Sequence, residues 1–178
     1  VVPSDQHVED ETGFREALTK AATSASTGPI TTIGIRATRP ETGFGYIQRG
    51  EEFSAETYAV KKFTEKPDLE TAKRFLETGE YYWNSGMFIW KVSTLLAMIE
   101  RYLPDLYKGL MTIKPALGTP DEQRVIAEVF DDLDSVSIDY GIMEKAETTY
   151  VVPADFGWSD VGSWAALPDV WETNQDGN

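Results

Sequence analysis

The sequence predicts an α/β domain in which helices flank a mixed β-sheet. Short β-branched and aromatic segments alternate with segments whose apolar residues have helical spacing, which is the pattern of a layered α/β domain. The later strand segments are joined by loops of hairpin length, which indicates that some neighbouring strands are antiparallel. Apolar residues make up 41% of the 178 residues, which is enough for a sizeable core in one domain.

Helices are predicted from apolar spacing and from the residues that begin and end helices. They are expected at about residues 11–26, 67–79, 92–103, 120–130, 138–145 and 162–171. Gly79 is a typical helix stop. Pro104 ends the third helix, and Pro120, Asp121 and Glu122 are a favourable opening for the fourth.

Strands are predicted between these helices, at residues 30–35, 46–47, 58–64, 81–90 and 149–153. Val1, Val2 and Pro3 resemble the end of a buried strand, and from this we expect the chain to be a piece of a longer protein. The predicted domain covers residues 1–172, and the polar residues 173–178 are expected to form a tail or linker.

The composition excludes several classes of protein. Thirty acidic and 16 basic residues give a net charge of −14, which argues against a nucleic-acid partner and against attraction to an anionic membrane. No apolar run approaches the roughly 20 residues of a membrane helix. The absence of cysteine excludes disulfides and thiolate metal sites, and it favours a cytosolic location.

Two aspartates follow predicted strands and are candidate ligands for a hard cation. Asp5 follows Val-Val-Pro-Ser, and Asp160 lies between Gly157 and Gly162 just before a predicted helix. In open α/β sheets, ligands bind outside the carboxyl ends of strands. Two acids without histidine or cysteine suit Mg²⁺ shared with a phosphate. The alternative is that Asp5 is a turn acid and that Ser159 or Asp160 caps the helix.

A carboxylate and an ammonium stand side by side at another strand end. Glu65 can accept hydrogen bonds from hydroxyl groups, and Lys66 can meet a phosphate as a point charge. The alternative is an exposed ion pair with no ligand. Because a residue before proline avoids the helical region, we expect Pro67 to hold Lys66 extended.

Two further segments interrupt apolar surroundings with small or polar residues. Gly43 and Gly45 can bring backbone N–H groups against a ligand, although two-glycine turns are common. In Tyr81–Trp90, the polar run Asn84-Ser85-Gly86 breaks an aromatic strand. Asn84 offers a donor and an acceptor, which suits sugar hydroxyls, and the alternative is a β-bulge in which the backbone satisfies Asn84.

No arrangement for covalent catalysis is evident. The chain has one histidine and no cysteine, and no serine lies in a Gly-x-Ser-x-Gly motif. A catalytic triad is therefore not expected. If the protein is an enzyme, the sequence favours metal-assisted positioning.

Taken in order, these segments resemble the mannose-1-phosphate guanylyltransferase family. The resemblance runs from the first residue almost to the last. The Glu-Lys-Pro element is shared widely among sugar nucleotidyltransferases, whereas Trp-Asn-Ser-Gly-Met-Phe and Gly-Trp-Ser-Asp-Val-Gly-Ser-Trp are specific. The matching stretches are residues 2–5, 39–47, 63–67, 83–88, 137–145 and 157–164.

The resemblance implies a Rossmann-like nucleotide-diphospho-sugar transferase fold. It implies the reaction of GTP with mannose 1-phosphate to GDP-mannose and pyrophosphate, with Mg²⁺ as cofactor. Asp5 and Asp160 would hold the metal, and together with Lys66, which would bind the sugar phosphate, they form the expected catalytic set. The sugar would be bound by the remaining expected site residues, Gly45 through its backbone, Glu65, Asn84, Ser85 and Gly86.

Two departures from the family pattern are visible. The family usually has histidine directly after the metal aspartate, whereas here Gln6 intervenes and His7 follows, so that no role is assigned to His7. The glycine-rich signature that cradles the nucleotide phosphates, Gly-Thr-Arg-Leu-Trp-Pro, is absent. We therefore expect the N-terminal nucleotide-binding portion to be missing and the chain alone to be weakly active or inactive.

Two other interpretations stay open. One is a nucleotidyltransferase for glucose 1-phosphate, which would share Asp5, Glu65, Lys66 and Asp160. The other is a regulatory subunit that binds a sugar phosphate without catalysis, against which the retained pair of aspartates argues. The expected partners are GTP and mannose 1-phosphate, and a homodimer is compatible with the resemblance.

Overall fold

The structure is a computed structural model that describes residues 1–54 and 56–171. The tail predicted at residues 173–178 lies outside the described residues. The strands are β1 (His7–Val8), β2 (Ile30–Arg36), β3 (Tyr46–Ser54), β4 (Thr57–Thr64), β5 (Tyr81–Ile89), β6 (Thr149–Ala154) and β7 (Trp158–Ser159). The α-helices are α1 (Glu11–Ala25), α2 (Leu69–Thr78), α3 (Val92–Tyr102), α4 (Pro104–Ile113) and α5 (Glu122–Asp131).

Five of these strands form the mixed sheet that the sequence predicts. The order is β2-β5-β3-β4-β6. Strand β6 also pairs with β2, in parallel, whereas the other pairs are antiparallel, so the sheet closes on itself. The fold is thus a mixed α/β fold, as expected.

A core cluster lies between this five-stranded sheet and helices α1 and α2. Ala17 and Ala21 of α1 and Phe75 of α2 are buried, which confirms the apolar spacing of both helices. The Phe75 ring stacks on Tyr81 with 3.9 Å between ring centroids. Other members of this core cluster are Ile33, Ile35, Tyr46, Ala72, Trp83, Met87, Val152 and Phe156.

Local capping signals set the ends of α1 and α2. The Asp10 carboxylate accepts hydrogen bonds from the N–H groups of Thr12 and Gly13, and Asp68 accepts one from Thr71. Gly79 ends α2 in the left-handed conformation, with φ of +67°, which glycine adopts without steric cost. These bonds satisfy N–H groups that have no partner inside the helix.

Several elements differ from the sequence predictions. Strand β3 extends seven residues beyond Ile47, because its polar second half pairs with β4 at the surface. Pro104 ends α3 as expected, but it also begins α4, since proline fits the first position of a helix. The helix predicted at residues 162–171 is a shorter 3₁₀ helix, Trp164–Asp169.

The described chain divides into two compact units. One holds Val1–Trp90 and the chain from Thr148 onward, and it contains both sheets. The other, Lys91–Glu147, contains α3, α4, α5 and a π-helical turn at Asp139–Met143, where the sequence predicts a short helix. In the described residues, no helix is both long and apolar enough to cross a membrane.

The first residue joins strand β5 through its backbone. The Val1 amino group donates to the Phe88 carbonyl at 2.8 Å, and the Phe88 N–H donates to the Val1 carbonyl at 3.1 Å. Val1 and Val2 are nevertheless exposed, so the expectation that they are buried is wrong. Further along the chain, Pro3 lies beside Gly86 of β5 and the Gln6 side chain reaches the Ser85 carbonyl.

Candidate active site

A two-stranded ribbon places the two candidate metal ligands beyond the same one of its ends. Strand β1 pairs with β7 in antiparallel register, with His7 opposite Ser159. Asp5 precedes the first strand and Asp160 follows the second, so that both leave the ribbon at one end. Two-residue strands carry no detectable sequence pattern, and this pairing is what joins segments about 150 residues apart.

The chemistry of these donors fits a hard cation. Two carboxylates offer oxygen ligands, and Mg²⁺ is usually held by one or two carboxylates together with phosphate oxygens and water. No cluster of three or more acidic, histidine or cysteine side chains is found among the described residues. The pair therefore suits an ion whose coordination is completed by a bound substrate, rather than one enclosed by protein.

Neither aspartate is used as a helix cap. Helix α1 is capped by Asp10, not by Asp5, and the 3₁₀ helix starts after Ser163 without a side-chain cap. Asp160 Oδ1 instead accepts a hydrogen bond from the Gly162 N–H at 3.2 Å, which is the bond of a local turn. The backbone of His7 lies within the ribbon.

Three of the predicted sugar-binding residues lie against one another. The Asn84 N–H donates to the Gly45 carbonyl at 2.8 Å, because β3 and β5 are neighbours. A Cβ atom placed on Gly45 would overlap the Glu65 Oε2 atom and would lie 3.3 Å from Asn84 Cβ. Glycine at position 45 is therefore what allows the Glu65 carboxylate to approach the backbone.

Glu65 and Lys66 share a strand end but differ in exposure. The Glu65 side chain is 10% exposed and that of Lys66 is 59% exposed, and Lys66 Nζ lies 3.7 Å from Glu65 Oε1. The carboxylate is thus placed for a ligand group inside the site, and the ammonium for one at its mouth. The bond between the two is weak, since its distance is near the limit for an ion pair.

The expectation that Pro67 holds Lys66 extended is wrong. Lys66 has φ of +44°, a left-handed conformation that costs a non-glycine residue roughly 1–3 kcal/mol. Helix α2 begins directly afterwards, and hydrogen bonds from the backbone N–H and the side chain of Thr71 lower the pKa of Asp68, which caps that helix. Strain of this kind is common at ligand sites.

The polar run in β5 forms a bulge. From Thr32 to Gly34 of β2, the partner residues run from Phe88 to Asn84, so β5 has two extra residues. Asn84 Oδ1 accepts from the Gly86 N–H at 3.2 Å and from the Thr32 hydroxyl at 3.3 Å. The bulge is thus present and holds the Asn84 oxygen, whereas the sugar-binding role of Asn84 stays a prediction. Gly86 has φ of +72°, which favours glycine.

Ser85 is buried at the centre of this bulge. Its hydroxyl donates to the Ile33 carbonyl at 2.7 Å and accepts from the Met87 N–H at 3.3 Å. The bond to Ile33 holds β5 against β2, and the bond from Met87 lies within the bulge of β5 itself. The Ser85 backbone carbonyl accepts a hydrogen bond from Gln6 Nε2 at 2.7 Å, so the bulge also holds the segment that carries Asp5.

A cleft of about 520 Å³ joins the glycine loop to the segment of Asp160. Tyr46 shapes the loop, since its hydroxyl accepts from the Glu41 N–H at 2.9 Å. Phe44 packs edge-on against Trp83 and Trp158, each at 5.3 Å between ring centroids. The cleft is lined by Arg39, Glu41, Gly43, Phe44, Asp160, Gly162, Ser163 and Ala166.

Two contributors to this site were missed in the sequence. The Arg39 guanidinium lies over the Trp83 ring, 5.3 Å from its centroid, and it adds a cation to the cleft. Gln6 links β5 to β7 through its side-chain amide. The only sequence signal for Arg39 was its place before the glycine loop, and Gln6 stood out only as a departure from the family pattern.

The chain is similar in sequence to a known family and to several known proteins. The family described as nucleotidyl transferase matches residues 1–177. The chain is 44% identical over 179 residues to the xanthan biosynthesis protein XanB of Xanthomonas campestris pv. campestris strain B100, and 40% identical over 179 residues to a mannose-1-phosphate guanylyltransferase of Sinorhizobium fredii. Both matches cover 100% of this chain, but only 38% and 35% of those proteins. The chain therefore spans little more than a third of the relatives' length.

A solved structure is also similar. The crystal structure of a protein called mannose-1-phosphate geranyltransferase, from Thermus thermophilus, superposes with a TM-score of 0.85 and 37% identity. The match covers 98% of this chain and 49% of that one. The described fold thus recurs in a protein with a related sequence.

Proposed function

Because the chain belongs to the nucleotidyl transferase family, we propose that it provides the sugar-phosphate site of a mannose-1-phosphate guanylyltransferase. Such an enzyme joins mannose 1-phosphate to GTP and releases pyrophosphate. The observation that carries the proposal is the meeting of Gly45, Glu65 and Asn84. These residues lie next to the segments of Asp5 and Asp160, which Gln6 connects to the same bulge.

The sugar would be recognised by the buried polar groups. The Glu65 carboxylate accepts hydrogen bonds from mannose hydroxyls, and its low exposure strengthens those bonds by excluding water. Asn84 and the backbone at Gly45 bind further hydroxyls of the sugar. Gly86 has no side chain and so leaves space beside these groups. The exposed Lys66 ammonium meets the phosphate of the sugar.

The metal would be held by Asp5 and Asp160. Mg²⁺ held there would supply positive charge, which would stabilise the negative charge that develops during phosphoryl transfer. The need for cations is physical, since two anionic substrates must meet on a protein with a net charge of −14. At the candidate site, the side chains of Lys66 and Arg39 would add positive charge to that of the metal.

The reaction needs no enzyme nucleophile. An oxygen of the mannose 1-phosphate attacks the α-phosphorus of GTP, a new P–O bond forms, and the bond to the β-phosphate oxygen breaks as pyrophosphate leaves. The protein residues align the two phosphates and neutralise their charge. This agrees with a site built of carboxylates, an amide and a lysine, without a cysteine.

We further propose a Rossmann-like arrangement for the parent enzyme and a cytosolic location. The glycine-rich phosphate signature is absent from this sequence, so guanine selection and most triphosphate contacts are assigned to residues outside it. The 178-residue chain is therefore proposed to bind mannose 1-phosphate but to turn over GTP weakly or not at all.

The test is a calorimetric titration of the chain with mannose 1-phosphate, with and without Mg²⁺. The expected result is binding that Mg²⁺ strengthens at least tenfold, and competition by glucose 1-phosphate that is at least tenfold weaker. Equal binding of the two sugar phosphates would favour the glucose-type enzyme. A folded chain that binds neither sugar phosphate would contradict the proposal.

A further inference from the structure

The side chain of Gln6 connects three segments that are distant in the sequence. Its Nε2 donates to the Ser85 carbonyl at 2.7 Å, and its Oε1 accepts from the indole Nε1–H of Trp158 at 2.9 Å. The partners lie 79 and 152 residues away along the chain. One amide group thus joins the segment after Asp5, the bulge of β5 and the short strand β7.

The NH₂ group and the oxygen of the Gln6 amide each make one of these hydrogen bonds. An indole nitrogen can only donate, and a donor or acceptor that is shielded from water and left without a partner is destabilising. The amide also packs against the turn at Gly86, where an added Cβ would lie 3.9 Å from Gln6 Nε2 and 3.6 Å from Pro3 Cγ. The Gln6 amide therefore lies beside the turn at Gly86 and is held by its two hydrogen bonds.

Each of the three segments carries a candidate site residue close to the contact. Asp5 precedes Gln6, Asn84 precedes Ser85, and Asp160 follows Trp158 by two positions. The ribbon of β1 and β7 sets the spacing between the two aspartates. Within the part of the chain that the structure describes, the Gln6 amide connects this ribbon to the bulge that contains Asn84.

We propose that Gln6 is a positioning residue that couples the metal carboxylates to the sugar pocket. With the link in place, ordering of Asp5 and Asp160 by a cation also orders the bulge at Asn84, so that metal and sugar phosphate bind cooperatively. The inference rests on the proposed function, since it concerns the same site. This role requires the side-chain amide of Gln6, because the amide provides both a hydrogen-bond donor and an acceptor.

The test compares Gln6→Leu with the parent chain. Leucine has a similar volume but neither hydrogen-bonding group. We measure the dissociation constant of mannose 1-phosphate by calorimetry with and without Mg²⁺, and the ratio of the two constants is the coupling. In Gln6→Leu we expect this ratio to fall at least fivefold. The matched control is Gln48→Leu, which removes a surface glutamine that bonds Glu80 and should leave the ratio unchanged.

A spectroscopic measurement tests the link in the free protein. The indole N–H resonance of Trp158, assigned from the loss of one signal in Trp158→Phe, is expected to shift and to exchange faster with solvent in Gln6→Leu. Trp158→Phe removes the same hydrogen bond from the other side and should reduce the coupling ratio as well. The double variant should lose little more than either single one. If Gln6→Leu does not fold, Trp158→Phe carries the same test.

The outcomes separate this inference from the proposed function. A parent chain that folds but does not bind mannose 1-phosphate overturns the proposed function. Binding by the parent without any effect of Mg²⁺ overturns the coupling, and so does an unchanged ratio in folded Gln6→Leu. A ratio that falls in Gln6→Leu and Trp158→Phe but not in Gln48→Leu supports the role of Gln6.

Discussion

Gly45→Ala tests whether the Glu65 carboxylate is a sugar ligand. Gly45 does not have a positive φ, so alanine fits the backbone, and the cost comes from contact alone. The added methyl would overlap Glu65 Oε2 and press on Asn84 Cβ and Phe63 Cζ, both at 3.3 Å. The Glu65 carboxylate must therefore move away from its place in the site.

The size of the effect follows from the bonds that Glu65 would lose. A hydrogen bond to a charged group contributes about 1.5–3 kcal/mol, and each 1.4 kcal/mol corresponds to a factor of about ten in affinity. Loss of one such bond weakens mannose 1-phosphate binding by about 10- to 150-fold. Overpacking at a well-packed position also lowers the free energy of unfolding by about 1–3 kcal/mol.

The assay is calorimetric titration with mannose 1-phosphate in the presence of Mg²⁺, together with urea denaturation of the same samples. The control is Gly43→Ala in the same loop, where an added Cβ meets only Glu41 Oε1, at an ordinary 3.5 Å. Gly43→Ala should change the affinity less than threefold. A folded Gly45→Ala protein that binds as tightly as its parent would refute the role assigned to Glu65.

Three further predictions concern the metal, a helix cap and a helix end. Asp160→Asn should abolish the gain in mannose 1-phosphate affinity that Mg²⁺ gives, whereas Asp155→Asn, a nearby exposed acid, should keep it, and equal titrations of both variants would contradict the metal assignment. The pKa of Asp68 is lowered by hydrogen bonds from Thr71, so its contribution to stability is present above the unfolded pKa of 3.8 and is lost as the pH falls through the lower folded value. The melting temperature of Asp68→Asn should therefore lie below that of the parent at pH 7 and approach it in acid, and a difference that is constant with pH would argue against the charged cap. Gly79→Ala should lower the free energy of unfolding by about 1 kcal/mol, since its φ is +67° and no atom lies within 4 Å of an added Cβ, and an unchanged urea midpoint would show that the backbone relaxes at low cost.

The sequence alone determined the elements whose signals are local. Asp68 and Gly79 mark the two ends of α2, and β-branched or aromatic runs mark β2 and β5. Caps, stops and apolar spacing act over a few residues, so they can be recognised without the rest of the molecule. The polar run at Asn84 was also visible, because polar groups inside an aromatic strand need partners that the strand alone does not supply.

Only the tertiary structure decided how these segments combine. The pairing of β1 with β7 and the two hydrogen bonds of Gln6 join residues far apart in the chain, and two-residue strands have no periodicity to detect. The left-handed conformation of Lys66 runs against the local preference of a residue before proline, so the surrounding fold must impose it. Local chemistry thus identifies the groups of the candidate site, and long-range packing sets the distances between them.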